Sequence, residues 1–106
     1  MFVIEKSRAN LNVIGPQVRR LREAKGWTQD DLAVKMQLFG WDTSRVSVTK
    51  LETQSRRVPD LELFVLGKVL EVVADDLFPH NLRAKIKELW PHYRAKLSRG
   101  QLPPGR

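Results

Sequence analysis

The stretch LFGWDTSRVSVTKLE, Leu38 to Glu52, changes character in its middle. Gly40 to Thr43 interrupts the apolar pattern that precedes it, and Ser44 has the side chain of a good helix N-cap. Val48 and Leu51 then recur at helical spacing, whereas the other positions of the segment are mainly polar or basic. The stretch therefore predicts a short helix that is buried along a narrow stripe and exposed elsewhere.

Two helices are predicted before this stretch. The first begins at Pro16, in the favoured first helical position, and ends at Gly26. The second follows the sequence TQDD, in which Thr28 caps the helix and Asp31 answers from the third helical position. The apolar residues expected on the buried sides of the two helices are Val18, Leu21, Ala24, Leu32, Ala33 and Met36.

Two further helices are predicted after it. The run LELFVLGKVLEVV is apolar nearly all round, as expected of a helix inserted into a core, and ADDLF before Pro79 predicts a last short helix. Trp27 and Phe64 are expected to lie in that core. Because no alternating strand pattern competes with the helical ones, the fold class is predicted to be all-α with five helices.

A basic extension is predicted beyond this body. Its apolar residues form a single helical stripe, which Pro91 is expected to kink or divide after Trp90. We therefore divide the chain into an N-terminal arm (residues 1–13), a helical domain (14–79) and a basic amphipathic C-terminal extension (80–106). The stripe consists of Leu82, Ile86, Leu89, Tyr93 and Leu97.

Composition narrows the classes of function. The chain has 106 residues, no cysteine and a formal net charge of +7, so thiolate metal sites and cysteine nucleophiles are excluded and a polyanionic partner is favoured. Residues 1–79 hold 12 Lys/Arg against 11 Asp/Glu, whereas residues 80–106 hold 7 bases against one acid. His80 and His92 lack a nearby nucleophile or metal-ligand constellation. We expect no enzyme activity, no cofactor, no metal and no transmembrane segment.

The predicted second and third helices, the latter with an exposed basic face, resemble the helix-turn-helix of the lambda and 434 repressor and Cro family. The resemblance runs from about residue 14 to residue 78 and rests on the order and spacing of IGPQVRRLREAKGWTQDDLA, SRVSVTKLE, RRVPD and LFVLGKVLEVVADDLF. It implies a five-helix repressor-like core and an XRE-like bacterial transcriptional regulator that binds double-stranded DNA, as a homodimer. A cytoplasmic, nucleoid-associated location follows from it.

The resemblance also implies roles for individual residues. Base-reading positions fall on Arg45, Val46 and Lys50, with Ser47 and Thr49 beside them; Arg and Lys donate to guanine, and Val contacts a thymine methyl. Arg22 of the first helix is expected to pair with Glu52 near the end of the third. A solvated surface is the alternative for the basic positions. The residues expected to contact phosphate are Gln29, Ser44, Arg56 and Arg57.

This sequence departs from the family pattern in two turns. The link from Met36 to Ser44 is longer than usual, and Trp41 and Asp42 fall in the surplus. Either helix two gains an extra turn before a longer loop, or the loop itself touches the DNA backbone. Glu71 stands where a helix-ending glycine is common in the family.

The sequence is also compatible with two other kinds of function. An antitoxin would use the same domain for autoregulation and its extension to cover a toxin. A protein-interaction or membrane-surface module is suggested by Trp90 and Tyr93 among the lysines and arginines of the extension.

Overall fold

The computed structural model describes residues 11–97, and every regular element in that range is helical. The all-α prediction is confirmed for this part of the chain, and the predicted last short helix is a 3₁₀ helix. The outer parts of the arm and of the extension lie outside the described residues. The elements are α1 (Gly15–Ala24), α2 (Gln29–Phe39), α3 (Arg45–Glu52), α4 (Asp60–Leu70), the 3₁₀ helix (Ala74–Leu77) and α5 (Leu82–Leu97).

Local signals set the ends of the first two helices. The Thr28 hydroxyl accepts the Asp31 N–H at 3.0 Å, and the Asp31 carboxylate accepts the Thr28 N–H at 2.8 Å, so the predicted capping box at the start of α2 is confirmed. Gly26 and Gly40 follow α1 and α2 with φ of 74° and 114°. Both positions favour glycine, because a side chain is strained in this left-handed conformation.

The hydrophobic core lies between α1, α2, α3, α4 and the 3₁₀ helix. Both α1 and α2 pack on α3, and α4 packs on α2. At the start of α1 the backbones approach so closely that a Cβ on Gly15 would lie 2.8 Å from the carbonyl oxygen of Glu52. The buried apolar residues are Ile14, Val18, Leu32, Ala33, Met36, Val48, Leu51, Val65, Leu66, Leu70 and Leu77.

The sequence predicted that Phe64 lies in the core, and this prediction is wrong. Phe64 is 58% exposed. The run around it is apolar on every side, yet α4 turns only one side inward and buries Val65 and Leu66 there. Phe64 packs instead against Phe39, with ring centroids 6.3 Å apart. Trp27 is half-buried and packs against the core.

The helix α5 continues through Pro91, so the division expected after Trp90 is wrong. Proline removes one N–H from the helical ladder, but its fixed φ is itself compatible with a helix. Along the predicted stripe, Leu82, Leu89 and Tyr93 are half-buried and Ile86 is 53% exposed. Within residues 11–97, none of the helices combines the length and apolarity that crossing a bilayer requires.

Candidate nucleic-acid interface

The helix α3 is fixed by its cap and its buried side. The Ser44 hydroxyl accepts the Ser47 N–H at 3.2 Å, so the predicted N-cap is confirmed. Val48 and Leu51 are fully buried, and Glu52 is only 6% exposed. The cap occupies the Ser44 oxygen, so a phosphate contact from this residue has to use its backbone or a remaining hydroxyl proton.

The opposite side of α3 carries three exposed residues of the kind that read bases. Arg45, Val46 and Lys50 are exposed, and Val46 and Lys50 stand one helical turn apart. The Arg45 guanidinium lies 3.7 Å from the Asp30 carboxylate, and both side chains are more than half exposed. Water screens such a pair, so its interaction is worth only about 0–1 kcal/mol and leaves Arg45 free to exchange partners.

Glu52 is the centre of a buried hydrogen-bond network that joins three helices. Its carboxylate accepts two hydrogen bonds from the Arg22 guanidinium, at 2.6 and 2.9 Å, and one from the Gln29 side-chain amide at 2.9 Å. Arg22 also donates to the carbonyl of Trp27 at 2.7 Å. The hydrogen bonds from Arg22 to Glu52 raise the pKa of Arg22 above its ordinary value. The arginine and glutamate therefore meet as the resemblance implies, with Gln29 as a third member.

Gln29 and Thr49 serve this network instead of pointing freely outward. The Thr49 hydroxyl donates to the Gln29 side-chain oxygen at 2.6 Å, and Thr49 is half-buried. Because the Gln29 amide also donates to Glu52, both ends of that side chain are used inside the protein. Gln29 was expected to contact phosphate and Thr49 to read bases; in the structure both hold α3 against α2. Ser47 is half-buried and borders the exposed residues.

The start of α2 is also less suited to a phosphate than expected. A helix N-terminus attracts anions through its backbone N–H groups. Here Asp30 and Asp31 stand in the first turn, and Asp31 takes up the Thr28 N–H. The hydrogen bonds from Thr28 lower the pKa of Asp31 below its ordinary value, and the Asp31 carboxylate is charged at neutral pH. Two carboxylates would therefore repel a phosphate at this end.

The neighbouring arginines Arg56 and Arg57 have different environments. Arg56 donates to both oxygens of Glu62 at 2.8 Å and to the carbonyl of Ser47 at 3.0 Å. Glu62 is 1% exposed, so Arg56, which was expected to contact phosphate, neutralises a buried carboxylate and links the first turn of α3 to the first turn of α4. Arg57 is exposed and stays a candidate phosphate contact.

The chain just before α1 braces the same region. The Asn12 side chain donates to the carbonyls of Leu51 and Arg56, at 3.1 and 2.9 Å, and accepts the Gly15 N–H at 2.8 Å. Gln54 donates to the Asn12 carbonyl at 2.9 Å. Residues 11–13, assigned to the arm from sequence, are thus built into the body.

The lengthened turn has the extended second helix of the first alternative, and contact between the loop and the DNA backbone stays a prediction. The helix α2 runs on through Phe39, Gly40 ends it, and the Trp41 N–H donates to the Met36 carbonyl at 2.9 Å. Trp41 packs against the core, and Gln37 donates to the Thr43 carbonyl at 2.6 Å. The turn is therefore held by its own contacts and sets the start of α3.

No protein-family model, no curated protein and no solved structure matches this chain. The geometry of the site exposes Arg45, Val46 and Lys50 on a helix whose other side is held by the hydrogen bonds of Glu52. It assigns Gln29, Thr49 and Arg56 to the support of that helix.

Sequence reasoning missed two of the supporting residues, Asn12 and Glu62. Glu62 left a signal, because an acid inside the apolar run LELFVL needs a cationic partner if that run is buried. Asn12 left none for its contacts with Leu51 and Arg56, because these two residues become its neighbours only when the chain ahead of α1 lies along α3.

Proposed function

We propose that this chain is a sequence-specific DNA-binding transcriptional regulator of the repressor-like kind, which reads the major groove with α3. The observation that carries the proposal is the exposed side of α3, where Arg45, Val46 and Lys50 supply two cationic donors and one apolar contact. A single α-helix fits the major groove, and these side-chain types distinguish base pairs there. The Glu52 network supports the proposal because it fixes the angle of the helix.

Charge supports the same function. Backbone phosphates dominate the affinity of DNA-binding proteins, and basic residues outside the reading helix supply it. Arg57 lies beside the end of α3, and the extension beyond residue 79 carries 7 bases against one acid. In this proposal α3 selects the sequence, Arg57 and the extension add affinity that is independent of sequence, and a homodimer places two copies of α3 in successive grooves.

The test is selection of bound duplexes from a random pool with the full chain, followed by titration of the selected duplex. Arg45→Ala and Lys50→Ala should each cost about 1–3 kcal/mol on the selected duplex and relax the preference at particular base pairs. Lys68→Ala is the matched control, because Lys68 is an exposed lysine on α4. Failure to enrich any sequence, or equal effects of all three variants, would overturn the proposal.

A second candidate, which does not involve DNA, is a protein-interaction or membrane-surface module that acts through α5. The observation that favours it is the exposure of Ile86 (53%) and Trp90 (45%) on a helix rich in lysine and arginine. Binding of anionic vesicles or of a co-purifying protein that is lost in a Trp90→Ala variant, with no duplex enriched, would favour this candidate.

A further inference from the structure

A cavity of about 370 Å³ lies between the body and α5. Its size is within the range of roughly 300–1,000 Å³ that is usual for small-molecule sites. Apolar side chains form most of its wall, and they come from the chain ahead of α1, the connection to α4, α4 itself and the end of the 3₁₀ helix. The lining includes Asn12, Val13, Arg57, Val58, Leu63 and Tyr93.

The cavity wall contains few polar groups, and two of them can interact with a ligand. The Tyr93 hydroxyl is shielded from solvent and has no hydrogen-bond partner among the described residues. Burial raises the pKa of Tyr93, so the phenol keeps its proton and acts as a donor at neutral pH. Arg57 is the one charged residue of this described lining. Asn12, in contrast, uses its amide and carbonyl within the body.

We propose that this cavity binds a small anion with an apolar body, such as a medium-chain carboxylate. The hydrocarbon part packs against Val13, Val58 and Leu63, and the carboxylate faces Arg57 and accepts a hydrogen bond from the Tyr93 hydroxyl. A buried donor without a partner is costly, and a ligand acceptor removes that cost. Opposite charge at Arg57 selects an anion over a neutral molecule of the same shape.

The site also joins two parts of the molecule. Tyr93 belongs to α5, whereas Arg57 and Val58 precede α4, so a bound ligand would fix the extension against the body. The proposal does not rest on the proposed DNA binding, although Arg57 is common to both, and ligand binding is measured without DNA.

The experiment is a titration of the full chain with octanoate, hexanoate and octan-1-ol, followed by NMR of the side-chain methyl groups. Octanoate should shift the methyl signals of Val13, Val58 and Leu63 and bind roughly fivefold more tightly than octan-1-ol, because of the charged contact to Arg57. Hexanoate should bind roughly tenfold more weakly than octanoate, since each buried methylene changes affinity by about three- to fourfold.

Two variants of α5 test whether octanoate binds in the cavity or on the exposed surface of the helix. Tyr93→Phe keeps the ring and should weaken octanoate binding severalfold, while leaving octan-1-ol less affected. Trp90→Phe is the control, because Trp90 does not line the cavity, and its octanoate affinity should equal that of the natural chain. The proposal is overturned if octanoate does not bind saturably, if the methyl shifts map to the exposed Ile86 instead of the cavity, or if octanoate and octan-1-ol bind equally.

Discussion

At the scale of single residues, two buried carboxylates decide how α3 is held. Glu52 receives hydrogen bonds from Arg22 and Gln29, and Glu62 receives two from Arg56. A buried carboxylate without a cationic partner is strongly destabilising, so each arginine is required by the acid that it faces. The exposed residues of α3 depend on these pairs for their position, although they take no part in them.

The first prediction concerns the pair of Arg22 and Glu52. Arg22→Met should lower the free energy of unfolding by about 3–5 kcal/mol, because it leaves a carboxylate with 2% side-chain exposure unneutralised. Arg19→Ala is the control: Arg19 is on the same helix, pairs with Glu23 in solvent and should change stability by about 0.5 kcal/mol or less. Denaturant unfolding of Arg22→Met, Glu52→Gln and the double variant measures the coupling. Strictly additive losses would contradict a shared network.

The second prediction separates the adjacent residues Arg56 and Arg57. Arg56→Ala should destabilise the fold by about 3–5 kcal/mol, because Glu62 stays buried without its partner. Arg57→Ala should leave stability within about 0.5 kcal/mol, weaken binding to all duplexes and lower the salt slope by about one unit. Denaturant unfolding and duplex titration across salt measure both effects. Equal stability of the two variants would show that the buried pair is unimportant.

At the scale of elements, the helix ends combine local hydrogen bonds with charge. The capping box of α2 places a charged Asp31 at the positive end of the helix dipole, which stabilises the helix. The end of α4 is less favourable, because Glu71 takes the left-handed conformation with φ of 62°. Substitutions at both helix ends should therefore have measurable effects on the free energy of unfolding.

The third prediction is a pH dependence at the start of α2. Because the pKa of Asp31 is lowered in the folded state, its contribution to stability is present above the ordinary pKa of about 3.9 and is lost as the pH falls through the lower folded value. Asp31→Asn keeps the shape but removes the charge. The natural chain should therefore be more stable than this variant at pH 5–7, and the difference should shrink below about pH 4. Denaturant unfolding at several pH values checks it, and a constant difference would contradict it.

The fourth prediction concerns the left-handed residue after α4. Glu71→Gly should be more stable than Glu71→Ala by about 1 kcal/mol, because only the glycine adopts positive φ without strain. Comparing these two variants removes the contribution of the exposed contact between Glu71 and Lys25, since both lose it. Thermal unfolding of the two proteins measures the difference. Equal stability of the two variants would show that the backbone at position 71 is not strained by its positive φ.

At the scale of the whole molecule, stability and charge are concentrated in different parts. Every buried apolar residue of the described core precedes residue 79, whereas most of the excess positive charge follows it. Part of the apolar stripe of α5 is half-buried, and Tyr93 lies beside the body, whereas Ile86 and Trp90 are exposed. The extension is therefore suited to association and to attraction of polyanions, while the body supplies the fold.

The fifth prediction is that truncation after Pro79 leaves a cooperatively folded domain with the same preferred DNA sequence and weaker binding. Loss of 7 bases and one acid should make the salt dependence of binding shallower. Loss of the stripe should reduce the dimer mass seen by light scattering. Calorimetry, light scattering and duplex titration across salt measure these changes. If mass, affinity and salt slope all stay the same, the extension serves neither role.

The sequence by itself determined the all-α fold, the capping box of α2, the N-cap of α3 and the buried residues Val48 and Leu51. These features depend on residues within a few positions of one another, so periodicity and side-chain type are sufficient to predict them. The pairing of Arg22 with Glu52 came from the family resemblance and not from local pattern.

Only the tertiary structure decided which polar residues face inward and which apolar ones face outward. It assigned Gln29, Thr49 and Arg56 to internal hydrogen bonds, exposed Phe64 and formed the cavity beside Tyr93. Apart from the pairing of Arg56 with Glu62, which are six residues apart, these outcomes depend on which distant segment packs against the residue. Burial requires a partner for every polar group and covers only one side of a helix, and both conditions are set by neighbours far away in sequence.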